Sequence, residues 1–282
     1  MKTTSSFKNQ NPKLYLVSTP IGNLNDITLR AIETLKRVSL IFAEDTRVSG
    51  VLLKHFQINT RLMSYYEYNK ESILIKLKEI FNDHNEIALI SDAGTPLISD
   101  PGSELIKACL QLNINIIPIP GASSILAALV ASGIVPTPFT FLGFIPKNKI
   151  QLRTFFHNYL DCNHTLVFFD SPNRINKSIS YLKEIFMDGE ITLAREITKI
   201  HEQFIRSSLQ ELDESSLINK GEYVVVFRPI VRKTRISDAF LIAEYENIKS
   251  LYNNDNEAIK ELAKKYQLKK SEIYHLIKIK LK

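Results

Sequence analysis

The chain lacks the short signatures that most often give an enzyme away. No G-x-G-x-x-G follows its first apolar segment, where residues 18–24 hold a single glycine, and this argues against a Rossmann dinucleotide site. No G-x-x-x-x-G-K-S/T occurs, which disfavours a P-loop nucleotidase, and neither G-x-S-x-G nor H-E-x-x-H is present. Cysteine is scarce: Cys109 and Cys162 have neither metal-ligand spacing nor a disulfide framework, so a reducing cytoplasm is the expected setting. No apolar run approaches the roughly 18 residues that a membrane helix needs. The opening MKTTSSFKNQNPK is polar and has no apolar signal core, so residues 1–12 read as a disordered lead with nothing to suggest export.

What remains is ordinary in composition and uneven in charge. The 282 residues are 44% hydrophobic and 23% charged, enough for two compact domains and a small appendage. Net charge is +6, and from Arg232 onward 12 Lys and Arg face 7 Asp and Glu. A basic terminal stretch suits an anionic partner; solvated lysines on amphipathic helices would read the same way.

Residues 87–102, IALISDAGTPLISDPG, organise the first half. An apolar strand over 87–90 ends in the loop Ser91-Asp92-Ala93-Gly94-Thr95-Pro96, and Asp100 can cap a helix whose first turn holds Pro101. In an open α/β sheet, ligands bind outside the carboxyl ends of strands. Gly94 and Gly102 would let backbone N–H groups approach such a ligand, and Asp92 offers an acceptor. Two loops of similar make follow other strands. One is Ser18 to Leu24 after a strand over 14–17, with Asp26 as cap of a helix over 27–37. The other runs from Pro118 to Ser124 after a strand over 114–117, leading into an apolar helix over 125–131. A strand over 40–43 ends in Glu44-Asp45-Thr46-Arg47, a compact set of acids, hydroxyl and base. Helices are expected over 49–56, 72–81 and 102–112, with a short strand over 62–65. Strands alternating with helices at this spacing predict a parallel sheet.

Residues 132–149, rich in Pro and Gly, mark the best domain boundary. Beyond it the pattern predicts helices over 152–160 and 175–186. Strands are predicted over 165–169 and 191–194, with added antiparallel strands over 201–206 and 223–227. Residues 232–237 read as a linker, followed by helices over 238–251, 257–266 and 271–279. The last two, across a tight turn, look like a helix-turn-helix. The fold class is therefore α/β: two α/β domains, 13–133 and 134–230, with a ligand cleft between them and a small C-terminal helical module, 238–282.

The motifs from Thr19 to Leu24 with Asp26, Glu44-Asp45-Thr46-Arg47, Ser91 to Pro96, Ser99-Asp100-Pro101-Gly102 and Pro120-Gly121 resemble the 16S ribosomal RNA (cytidine-2′-O-)-methyltransferases. These belong to the tetrapyrrole methylase-like, class III methyltransferases. Asp170-Ser171-Pro172-Asn173-Arg174, Ala194-Arg195-Glu196-Ile197-Thr198-Lys199 and Lys220-Gly221-Glu222 match in order, so the likeness runs nearly the length of the chain. The chain departs from the family at Asp170 and Asn173, where Glu and His are common, and at Ala122, where Pro is frequent. The resemblance implies S-adenosylmethionine bound between the two domains. It also implies a decoding-centre cytidine of 16S rRNA in the small ribosomal subunit as acceptor, and a homodimer. Donor-binding positions on this reading are Pro20, Gly22, Asp92, Ala93, Gly94, Thr95, Pro96, Gly121, Ala122, Ser123, Phe169 and Ala194. A ribose hydroxyl is a poor nucleophile until deprotonated, so Glu44, Asp45 and Glu196 are candidate bases, while Arg47, Arg195 and Lys199 could steady an oxyanion or hold phosphate. Glu44 to Arg47 rank first, as neighbours of the first loop. The rival readings are a small-molecule methylase on the same fold and an RNA-binding assembly factor with a vestigial cleft.

Overall fold

A computed structural model describes residues 9–230, 238–250, 252, 254–266, 268 and 270–280. The linker expected over 232–237 and the first eight residues of the expected lead lie outside that set. The end of the lead is tied down: Asn115 donates its backbone N–H to the Pro12 carbonyl at 2.8 Å, and Asn11 donates to the Asn113 carbonyl at 3.1 Å. The chain divides into two compact units, 1–230 and 231–282.

The first unit opens with a five-stranded sheet. Its strands are β1 (Lys13–Val17), β2 (Leu40–Ala43), β3 (Arg61–Ser64), β4 (Glu86–Ile90) and β5 (Asn115–Ile119), in the order β3-β2-β4-β1-β5 with every pairing parallel. Both faces are covered, which is why β2, and β4 after Glu86, read as unbroken apolar runs. On one face Tyr15, Val17, Ile41, Ala88 and Ile90 pack with Ala31 and Leu35 of α1 (Leu29–Arg37) and Leu53 of α2 (Thr46–His55). On the other, Leu14, Leu40, Phe42, Ile87 and Leu89 meet Leu77 and Phe81 of α4 (Leu77–Asp83) and Leu105 and Cys109 of α5 (Ser103–Gln111); α3 (Lys70–Ile75) precedes α4. The helix expected over 72–81 is thus two, broken at Lys76.

Capping differs from expectation at two places. Thr28, not Asp26, caps α1 by accepting the Ala31 N–H, while residues 24–26 form a separate 3-10 turn capped by Asn23. Asp100 caps nothing; α5 starts after Gly102, whose φ of 136° no L-residue adopts readily. A Cβ at Gly102 would also strike Leu97 at 2.5 Å.

The second sheet holds β6 (Phe139–Phe144), β7 (Thr165–Asp170), β8 (Gly189–Arg195), β9 (Gln203–Ser208) and β10 (Tyr223–Pro229), in the order β6-β7-β10-β8-β9. Only β6 and β7 run parallel; the other pairs are antiparallel. One face packs against α7 (Lys149–His157) and α8 (Ile175–Ile185) through Leu152, Phe156, Ile179 and Leu182. The other receives α6 (Ser124–Ala131), whose Ile125, Ala128 and Leu129 pack on Val167, Val224 and Val226. The helix leaving the first sheet therefore docks on the second, which locks the two sheets together. Residues 132–149 are not simply a boundary loop, because β6 lies inside them. Cys109 and Cys162 are free and buried, and burial pushes the Cys109 thiol up to about 12. Among the described residues no helix is long and apolar enough to cross a membrane.

The second unit contains α9 (Asp238–Lys249), α10 (Asp255–Lys265) and α11 (Lys270–Lys280) around Leu241, Tyr245, Ile259, Leu262, Ile273 and Ile277. Asn254 caps α10, and the Lys265 ammonium donates to Glu244 at 2.7 Å. Of the turn expected between the last two helices, Gln267 and Lys269 lie outside the described residues.

Candidate active site between the two sheets

The connection from β1 leaves over one face of the first sheet and that from β4 over the other, so the loops after these adjacent strands open a crevice. Thr19 and Gly94 close it at the base by exchanging both backbone hydrogen bonds, at 2.9 and 3.1 Å. The Thr19 hydroxyl adds a bond to the Ser91 carbonyl at 3.1 Å. Ser18 donates to Thr95, and Thr95 to the Ala122 carbonyl, at 3.1 and 3.2 Å. The three loops singled out in the sequence thus form one hydrogen-bonded group.

That network changes what Gly94 does. Its N–H is engaged by Thr19 and is not offered to a ligand; glycine is required because φ is +84° and a Cβ would press on Ile21 at 3.3 Å. Gly121 serves a close approach as well, since a Cβ there would meet the Ser18 Cβ at 2.8 Å.

Above these loops lies a cleft of about 480 Å³ that takes its walls from both sheets. Asp92, Ala93, Gly94, Thr95 and Ser123 of the expected set line it, as does Phe169 from β7. Pro20 and Gly22 line a neighbouring cavity, Pro96 closes a small recess below, and Ala194 is buried in the core beneath. Sequence reasoning missed Asp100 as a lining residue, and with it Ile98, Ile125, Phe144, Tyr223 and Val224. Phe144 was hidden by reading 132–149 as a loop; the run Phe139-Thr140-Phe141-Leu142 was the available signal for a strand. Gly143 at φ +67° and a register shift between Phe141 and Phe144 bring the Phe144 ring to 5.2 Å from Phe169.

Four acidic residues line the cleft, Asp92, Asp100, Asp170 and Glu222, the Asp170 carboxyl lying beneath its surface, and among the described residues no Lys or Arg does. Burial, followed by the charge of Asp92, raises the Asp100 carboxyl above its ordinary value against a hydrogen bond from Ser91. Glu44 sits with Asp100 and Ser91 in the recess, and burial followed by Asp100, Asp92 and Asp45 raises it too. Asp170 is fully buried and ion-paired with Arg174, whose Nη2 donates to the Ile145 carbonyl at 3.0 Å. Burial pulls Asp170 upward, and Ser178 and Arg174 offset part of that. A cation with apolar and aromatic bulk fits these walls better than an anion does.

The remaining candidates occupy distinct places. The set from Glu44 to Arg47 adjoins the loop after β4, not the one after β1, because β4 lies between β2 and β1. Asp45 caps α2 and chelates the Arg47 guanidinium at 2.6 and 3.0 Å; its own N–H donates to Asp92 at 3.1 Å. Those bonds hold Asp45 down to about 2, while the Arg47 side chain is 89% exposed. Arg195 is buried and committed to the Lys220 carbonyl at 2.8 Å. Lys199 bridges Glu196 and Glu222, each at 2.9 Å, and lines the neighbouring cavity against Gly22. Burial acts to raise Glu196, yet Lys199 and the Glu222 N–H outweigh it and hold the carboxyl below its ordinary value. Glu196 and Thr198 take φ of +50° and +68°, a strained turn that points Lys199 back toward the first sheet.

The family described as Tetrapyrrole (Corrin/Porphyrin) Methylases matches residues 13–213, from β1 into the connection between β9 and β10. A protein of Streptococcus pyogenes named Ribosomal RNA small subunit methyltransferase I is 38% identical over 97% of this chain and 98% of its own length. The Bacillus subtilis protein of the same name is 39% identical over 95% and 94%. Among solved structures, uroporphyrin-III C-methyl transferase from Thermus thermophilus complexed with S-adenyl homocysteine superposes with a TM-score of 0.54 at 20% identity. The match covers 78% of this chain and 99% of that one, a likeness of fold. With the match running through both sheets, and with relatives aligned along nearly their whole length, this chain belongs to the tetrapyrrole (corrin/porphyrin) methylase family.

Proposed function

We propose that the protein transfers a methyl group from S-adenosylmethionine to the ribose 2′-hydroxyl of a decoding-centre cytidine in 16S rRNA of the small ribosomal subunit. It would act as a homodimer in the cytoplasm. The observation that carries this reading is a family cleft lined by acidic residues and, among the described residues, by no lysine or arginine, in a chain alignable over nearly its whole length with relatives named for small-subunit rRNA.

The cleft fits the donor chemically. When bound, S-adenosylmethionine supplies an electrophilic methyl on a sulfonium cation, and Asp92 and Asp100 are the carboxylates suited to hold positive charge. Phe169, with Phe144, offers aromatic surface for a planar ring. Ala93, Thr95, Ala122 and Ser123 offer backbone and hydroxyl groups in the hydrogen-bonded loop group, while Pro20, Gly22, Gly94, Pro96, Gly121 and Ala194 shape it.

In-line displacement needs alignment first. Lys199 is the cation best suited to steady the developing oxyanion, because two carboxylates hold its ammonium in one direction. Glu196, held below its usual range, suits positioning Lys199 rather than taking a proton. Glu44, raised above its ordinary value, is better matched to a base, although it lines the recess and neither cavity. Asp45 and Arg47 neutralise one another and suit shaping the loop beside Asp92.

The test uses small subunits from cells lacking the protein, labelled donor, and a ribose-methylation map. Label at one cytidine 2′-oxygen supports the reading, whereas base methylation or transfer only to a tetrapyrrole overturns it. Lys199→Ala should lower kcat by about 100-fold, the scale of one oxyanion donor, with donor affinity kept.

A further inference from the structure

Beside the donor cleft lies the second cavity, of about 450 Å³, formed by the loop after β1, the outer face of α2 and Lys199. We infer that it receives a single unstacked nucleotide of the acceptor RNA, with its ribose turned toward Asp92 and Ala93; this rests on the proposed function above.

Three observations carry the inference. First, Ile21, Asp92, Ala93 and Glu222 line both spaces. A hydroxyl in one can therefore reach a methyl group in the other across a shared wall, without either ligand leaving its place. Second, the two linings differ in charge. Among the described residues the donor cleft has no lysine or arginine, whereas the second cavity holds Lys199, whose ammonium, shared with Glu196 and Glu222, can also donate to a ribose oxygen. Third, the walls suit a nucleoside. Val48 and Val51, 47% and 68% exposed on α2, join Leu24 and Leu52 in an aliphatic surface on which a base can lie flat. Asp92 and Glu222 on the same lining offer acceptors for hydroxyls.

A cavity of this size accepts a nucleoside, and a base lying flat on Val48 and Val51 cannot also be stacked between its neighbours in the RNA. An acceptor within a stacked helix would have to swing its nucleotide out, as enzymes acting on bases do. The cavity therefore selects by eversion, and sequence reading falls to whatever positions the RNA outside it.

The experiment fills the cavity from its exposed wall. Val51→Trp and Val48→Phe lie on the outer face of α2, so a native melting temperature is expected. Methyl transfer to small subunits from cells lacking the protein should fall at least 100-fold in kcat/KM. Affinity for S-adenosylhomocysteine, by calorimetry, and for the subunit, by filtration, should stay within threefold of wild type. Val51→Ala, which trims that wall without filling the cavity, should lose far less than either bulky variant. Wild-type transfer by both bulky variants, or a loss of donor affinity parallel to the loss of rate, would overturn the inference. If the unaltered protein methylates no subunit RNA, the functional reading itself falls, and that control separates the two failures.

Discussion

The two sheets of the first unit meet the site by different means. The parallel sheet brings loops whose shape is kept by backbone and hydroxyl hydrogen bonds, such as Thr19 with Gly94 and Thr95 with Ala122. The mixed sheet brings charged side chains already paired, Asp170 with Arg174 and Lys199 with two glutamates. Shape held by backbone bonds is insensitive to pH and salt but intolerant of a new Cβ. Charge held in pairs tolerates small changes of volume yet fails when one partner is removed. Mutations should therefore hurt the two sides differently.

The largest effect is expected on the mixed sheet. Asp170→Ala leaves a half-buried guanidinium without its carboxylate, at a cost of about 3 kcal/mol, the lower end for breaking a buried pair because Arg174 keeps some water. Melting should drop by roughly 6–12 °C in calorimetry. The double variant Asp170→Leu with Arg174→Met should recover most of the loss. If it does not, the pair matters for more than charge balance.

Gly94→Val comes next and probes the other side. A β-branched residue at φ +84° costs about 1–3 kcal/mol and pushes on Ile21, opening the clip with Thr19. Affinity for S-adenosylhomocysteine should fall by about tenfold or more, with Gly94→Ala in between. Unchanged affinity in the valine variant would mean that the loop group does not shape the donor site.

Asp100→Asn sharpens the contrast through pH. A carboxyl raised by burial and by Asp92 adds no cost below its ordinary value of 3.8, and its cost grows as pH rises from there through the raised folded value. At neutral pH the ligand-free Asn variant should therefore be more stable than wild type, with a flatter pH profile above 3.8, while binding the cationic donor more weakly. A variant less stable at neutral pH would contradict the sign.

The smallest effect concerns the second unit. Lys264, Lys265, Lys269 and Lys270 changed together to Ala should weaken subunit binding and flatten its salt dependence, at about 0.9 log units per lost phosphate contact. Lys265 is engaged by Glu244, so the slope should change by less than four full contacts. From residue 238 onward 9 Lys face 7 Asp and Glu, so most of the terminal excess belongs to Arg232, Lys233 and Arg235. An unchanged slope with sedimentation as a monomer would assign these helices to an interface between copies instead.

Much of this was legible beforehand, for reasons that differ by element. Strands β1, β2 and β4 were readable because burial on both faces leaves them apolar but for Lys13 and Glu86, which pair with each other at the strand starts. Strand β6 was not, because its edge position leaves it half-exposed and its Gly143 bulge breaks alternation inside a Pro- and Gly-rich stretch. The caps failed where two acceptors competed: Asp26 and Thr28 both precede α1, and only backbone geometry decides which one turns inward. The loops singled out at the strand ends do meet in one hydrogen-bonded group, but Gly94 and Asp100 do other work there than expected.

Sequence alone determined the α/β class, the loops at the strand ends and the resemblance that the comparisons bear out, because each depends on local pattern and on residue types at short spacing. Tertiary structure decided which loops touch, that the cleft is walled by acids and the neighbouring cavity by Lys199, and that Asp45, Arg47 and Arg195 are already committed. Those outcomes depend on strand order and on pairs of residues far apart in the chain, such as Thr19 with Gly94 or Gly22 with Lys199. Strand order follows from how two buried faces are shared among helices, a choice made by the whole core and written in no single segment.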